Sequence, residues 1–125
     1  MVVMVGALSA AHGALAEVLT GTAENDTLLG TDEDDRFKGR GGEDYLDGGG
    51  GDDEIEGGGG NDEIIPGEGD DEVYAGGNDL IYARDNDGVD YIDCGAGFDK
   101  VETIHRDDRT RGNCERALGP RQGDI

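Results

Sequence analysis

Nine aspartates, Asp26, Asp35, Asp44, Asp53, Asp62, Asp71, Asp79, Asp90 and Asp99, recur at or close to every ninth residue, and most follow a glycine-rich stretch. Aspartate puts a hard oxygen donor close to the backbone, and glycine lets backbone carbonyls approach the same point. That combination suits a cation taking six to eight oxygens at ~2.3 to 2.6 Å. Catalytic patterns are missing: no G-x-S-x-G, H-E-x-x-H or phosphate-binding loop occurs. His12 and His105 have no nearby Cys or second His to complete a zinc set, and His105 reads as a solvent-facing residue. An EF-hand fails on spacing. With Asp85, Asp87 and Gly88 at its third, fifth and sixth positions, the first falls on Ala83 and the twelfth on Cys94, which cannot be a bidentate ligand.

The elements that must position these aspartates follow from the repeat itself. In ninefold register the chain reads GTAENDTLL, GTDEDDRFK, GRGGEDYLD, GGGGDDEIE, GGGGNDEII and PGEGDDEVY without a gap from residue 21 to 74. Column six is Asp throughout, and column eight is Leu28, Phe37, Leu46, Ile55, Ile64 and Val73. The register then slips: AGGNDLIY keeps Asp79 and Ile81, ARDNDGVDYID keeps Asp90 and Ile92, and CGAGFDKVE keeps Asp99 and Val101. The three residues after each Asp predict a short strand, its middle residue inward and its flanks outward. Outward columns therefore tolerate Arg36, Lys38, Glu54, Glu56 and Glu72, and they also hold Tyr45, Tyr74, Tyr82 and Tyr91. Fourth-column glycines (Gly42, Gly51, Gly60, Gly69, Gly77, Gly88, Gly97) suit a turn with positive φ or a backbone close to a bound ion.

These columns resemble the RTX, or haemolysin-type, calcium-binding nonapeptide G-G-x-G-x-D-x-U-x, over residues 21–102 and best from Gly39 to Tyr74. The resemblance implies an all-β fold, a right-handed parallel β-roll (β-solenoid) with two nonapeptides to a turn and calcium between stacked loops. One edge would stack the loops of Asp26, Asp44, Asp62, Asp79 and Asp99, the other those of Asp35, Asp53, Asp71 and Asp90. Four gaps plus three allow at most seven Ca2+ ions. The nine aspartates are then the metal ligands, with backbone carbonyls near Gly39, Gly41, Gly48, Gly50, Gly57, Gly59, Gly67 and Gly69. Asp44, Asp53, Asp62 and Asp71 match best. Glu24 and Glu33 replace the fourth-column glycine early on, and Val89 and Phe98 replace the polar residue before the Asp near the end.

Charge points the same way. The chain holds 31 acidic against 10 basic residues, a net of −21, and residues 21–102 alone hold 26 against five. Such a surface repels nucleic acid and anionic membranes and attracts cations. Its self-repulsion opposes compaction, and only 34% of residues are hydrophobic. Metal binding is therefore expected to supply folding free energy.

The two ends differ from the repeats. Residues 2–16, VVMVGALSAAHGALA, are nearly all apolar and end in Ala14-Leu15-Ala16, a small-x-small cleavage pattern. Residues 1–16 thus read as a secretory signal peptide, though without the usual positive n-region, with a short buried helix as the alternative. Fifteen apolar residues fall short of the ~20 that span a bilayer, so membrane insertion is not expected. Residues 17–102 form the roll, and 103–125, with five Arg, form a C-terminal cap over its last apolar layer. Two cysteines in a secreted chain favour a Cys94–Cys114 bridge tethering that cap. The phrases DCGAGFDKV and NCERAL also resemble the closure of bacterial secreted repeat proteins. The expectation is a non-enzymatic, extracellular, calcium-binding structural or adhesive module with an unidentified partner. An accessory subunit or fragment of an exported enzyme, and a disordered acidic polypeptide, are the alternatives.

Overall fold

The computed structural model describes residues 2–5, 17–83, 88–103 and 108–118. The rest of the apolar leader, His12, the insert with Asp85 and Asp87, and His105 lie outside the described residues.

Every regular element among the described residues is a strand: β1 (Val2–Val5), β2 (Val18–Thr20), β3 (Asp26–Leu29), β4 (Arg36–Lys38), β5 (Tyr45–Asp47), β6 (Glu54–Gly58), β7 (Glu63–Ile65), β8 (Glu72–Gly76), β9 (Leu80–Ala83), β10 (Tyr91–Asp93), β11 (Asp99–Thr103), β12 (Arg109–Arg111) and β13 (Cys114–Leu118). They pair in parallel with the strand two along, so odd strands build one sheet, β1 to β13, and even strands another, β2 to β12. The molecule is a parallel β-solenoid.

Strand alternation explains the columns. Asp71, Val73 and Ala75 point inward while Glu72 and Tyr74 between them point out. Column eight forms the core: Leu19, Leu28, Phe37, Leu46, Ile55, Ile64, Val73, Ile81, Ile92 and Val101 are all buried. Each is worth about 1.5 to 3 kcal/mol as a buried side chain. Ala75, Ala83 and Cys94, in column one, are buried, the first two at the far end of their strands and Cys94 just past the end of β10.

Like residues stack on like. Leu28 pairs with Leu46, Leu46 with Ile64, and Phe37 with Ile55, each 18 residues on. The irregular units keep this match by taking up their length differences in the loops, so Ile64 faces Ile81, Val73 faces Ile92 and Ile81 faces Val101. A parallel sheet buried on one face gains little from a misaligned apolar column, so the column, not the residue count, sets the register.

Strands continue past Glu102. β12 pairs with β10 through Tyr91↔Arg109, and β13 pairs with β11 through Asp99↔Cys114. A disulfide joins Cys94 to Cys114 across 20 residues, with a Cα–Cα distance of 5.5 Å. At the other end, β1 pairs with β3 through Val2↔Asp26. Among the described residues no helix is long and apolar enough to cross a membrane.

Candidate metal centres on the two loop edges

Each turn between strands wraps around the carboxylate of its own column-six aspartate. The inward position of that column follows from alternation, and the small residue in column one leaves the space. A Cβ at Gly39 would lie 2.7 Å from Asp44 Oδ2, and one at Gly48 would lie 2.4 Å from Asp53 Oδ2.

The aspartates form two ladders. On one edge the amides of Asp26, Asp44, Asp62 and Asp79 donate to Oδ1 of Asp44, Asp62, Asp79 and Asp99, at 2.8, 2.9, 2.8 and 2.8 Å. On the other, the amides of Asp35, Asp53, Asp71 and Asp90 donate to Oδ1 of Asp53, Asp71, Asp90 and Asp108, at 2.7, 2.7, 3.1 and 3.1 Å. All nine aspartates singled out in the sequence are buried and fall on the two edges expected for them. Asp108, nine residues after Asp99, is a tenth rung that the sequence reading missed. The strand after it has polar Thr110 in column eight, which hides the repeat.

The second carboxylate oxygens distinguish the interior loops. Oδ2 of Asp44, Asp53, Asp62, Asp79 and Asp99 is buried without a hydrogen-bond partner. Burying an anionic oxygen without compensation is costly, and the carboxyls respond accordingly. Desolvation pushes Asp53 up to about 8 against the lowering bond from the Asp35 amide, with the charges of Asp35, Asp34 and Asp52 adding to the rise. Burial likewise pushes Asp62 up to about 7 and Asp79 up to about 6. Asp44 and Asp99 are raised by the same cause.

Backbone oxygens supply the other part of the lining. A Cβ at Gly58 would lie 2.1 Å from the Arg40 carbonyl oxygen, at Gly60 1.9 Å from that of Gly42, and at Gly69 2.2 Å from that of Gly51. Carbonyls of columns two and four thus face the next loop at a range only glycine admits. Of the carbonyls expected as donors, those of Gly39, Gly48 and Gly57 point at the column-one glycine one coil earlier, 2.6, 2.2 and 2.3 Å from a Cβ there. Gly41, Gly50 and Gly59 instead use their amides, donating to the carbonyls of Thr22, Thr31 and Arg40. Gly67 and Gly69 are turn residues with φ of 96° and 115°.

Positive φ is more widespread than column four alone. Column two shares it, in Arg40 (77°), Gly49, Gly58, Gly67, Gly76 and Gly95, and the sequence reading did not single that column out. Among the fourth-column glycines, Gly77 alone lacks positive φ. Gly76 has positive φ as the column-two residue of its own unit, and Gly77 stays glycine because a Cβ would lie 1.8 Å from the Gly60 carbonyl oxygen. Glu24 and Glu33 head the loop stacks of the described chain, so the glycine requirement begins only with Gly42 and Gly51, whose Cβ would strike the Glu24 and Glu33 carbonyls.

An outer row of bonds runs beside each of these two ladders, with Asn25 and Asn78 on the edge of Asp44, and with Asp34, Asp52 and Asp70 on the edge of Asp53. Side-chain oxygens of Asn25, Asp34, Asp52, Asp70 and Asn78 accept the amides of Glu43, Asp52, Asp70, Val89 and Phe98, one coil on, at 2.7 to 2.9 Å. Val89 and Phe98 therefore still take part, as donors through their backbone.

The donor chemistry fits a hard cation. Carboxylate and carbonyl oxygens are calcium ligands, and buried, unpartnered carboxylate oxygens call for a positive charge. Among the described residues no three His, Cys, Asp or Glu side chains converge on one point, so backbone carbonyls must supply much of any coordination shell. The family model for four copies of the RTX calcium-binding nonapeptide repeat matches residues 13–46, 20–55, 29–64, 39–73 and 56–87, more than half of the chain. The chain belongs to this family. RTX repeats bind calcium, and calcium is accordingly the cation of this protein. No curated protein and no solved structure matches the chain.

Proposed function

We propose that this chain is an extracellular, non-enzymatic module in which calcium binding drives folding of the roll, and that it serves a structural or adhesive role there. The carrying observation is the set of buried Oδ2 atoms on Asp44, Asp53, Asp62, Asp79 and Asp99. A fold that places five such oxygens in its interior, in a chain of net charge −21, needs bound cations to be favourable. The column-six aspartates would hold the ions with loop carbonyls. Asp108 raises the number of gaps from seven to eight, four on each edge.

The ends fit export. A disulfide is retained in oxidising compartments, which supports an extracellular location. Residues 103–125 close the stack through β12 and β13, with Cys114 pinned to the last complete repeat. Removal of residues 1–16 after Ala16 would also remove β1, so the exported chain should start at Glu17.

Calorimetric titration tests the function directly. Calcium should bind at several sites together with a gain of β-structure, whereas magnesium, which dehydrates reluctantly and demands octahedral geometry, should produce neither. Equal responses to both ions, or to neither, would reject the proposal.

A further inference from the structure

We propose that Thr22 and Thr31 close the first loop of each edge without a cation, so that calcium is required only from the third repeat onward. This rests on the calcium reading above and assigns which loops that reading applies to.

The first two loops satisfy internally the oxygen that later loops leave bare. Asp26 Oδ2 accepts from the Thr22 amide and from its hydroxyl, the latter at 3.1 Å. Asp35 Oδ2 accepts from the Thr31 amide at 2.7 Å and its hydroxyl at 2.9 Å. Each hydroxyl is held in place by a further bond, accepting the amide of Glu24 at 3.0 Å or of Glu33 at 3.1 Å. Two donors on one carboxylate oxygen are the neutral counterpart of a cation contact.

Backbone conformation gives a second, separate distinction. Column two has positive φ at Arg40, Gly49, Gly58, Gly67, Gly76 and Gly95, but not at Thr22 or Thr31. β-Branched residues avoid that region. The first two loops therefore differ in backbone conformation as well as in side chain, and their threonines place an amide and a hydroxyl at the carboxylate. From Asp44 onward no hydroxyl occupies column two, and Oδ2 of Asp44, Asp53, Asp62 and Asp79 is buried and unpartnered. The N-terminal coil is thus a metal-free platform on which calcium-requiring coils stack.

Native mass spectrometry of the full chain at saturating calcium tests this by counting ions. Asp26→Asn with Asp35→Asn should leave the count at the wild-type value, whereas Asp53→Asn with Asp62→Asn should lower it. Loss of ions in the first pair would overturn the inference. Thr22→Gly with Thr31→Gly, which gives both loops the residue of the later repeats, should raise the count by one or two ions, and Thr→Ser at both positions should restore it. An unchanged count in the glycine variant would overturn the inference alone. No bound calcium in any protein would overturn it together with the calcium reading.

Discussion

Replacing Gly60 by alanine should cost the calcium-loaded protein about 3 kcal/mol, and replacing its neighbour Gly59 close to nothing. Gly60 has φ of 102°, and a Cβ there would lie 1.9 Å from the Gly42 carbonyl oxygen and 2.7 Å from its carbon. The conformational part costs about 1 to 3 kcal/mol. The steric part cannot be relieved by a side chain, since both struck atoms are backbone. Moving the loop would also strain the bond from the Asn78 amide to the Gly60 carbonyl, 3.2 Å long, at about 1 kcal/mol. Gly59 lies in the same turn without positive φ, and its nearest contact would be the Arg40 carbonyl oxygen at 3.9 Å. Urea unfolding at saturating calcium measures the difference. With a slope of about 1 to 3 kcal/mol per molar, Gly60→Ala should lower the midpoint by about 1 to 3 M. Two variants within about 0.5 kcal/mol of each other would refute loop stacking as the reason for the glycines.

Reducing the Cys94–Cys114 bridge, which closes 20 residues, should remove about 3 kcal/mol of stability. Thermal unfolding in calcium with and without reductant would show it, and identical midpoints would contradict the tether. Protons and calcium should act in opposition. Asp53, Asp62 and Asp79 have folded-state values of about 8, 7 and 6 against 3.8, so the folded metal-free chain binds more protons than the unfolded one in that window. Its stability is therefore greatest at the acid end and falls as pH rises from about 4 toward 8. Acidifying the metal-stripped protein through this window should increase its β-structure by circular dichroism, while the calcium concentration needed for folding rises. A calcium midpoint independent of pH would count against carboxylate ligation.

The roll was legible in the sequence where one coil is enough to reveal a rule. Columns six and eight repeat an Asp and a large apolar residue, and the buried row from Leu28 to Val101 and the two aspartate ladders follow from them. Features made by contact between coils were harder to read. Glycine in column two is demanded by a carbonyl 18 residues away, as Gly58 is by Arg40. The outer rows, Asn25 and Asn78 on one edge and Asp34, Asp52 and Asp70 on the other, look in sequence like ordinary solvent-facing residues. Leu19 lies nine residues before Leu28 and belongs to the core, but it sits beside the apolar leader and so drew no notice. Thr110 breaks the apolar column and concealed the coil that holds Asp108.

Far-UV circular dichroism of the purified chain, first with excess chelator and then with millimolar calcium, tests the coupling of metal to fold most directly. The chelated protein should be largely disordered near neutral pH, and calcium should produce the β-sheet signal cooperatively. The same β-sheet spectrum in both conditions would contradict it.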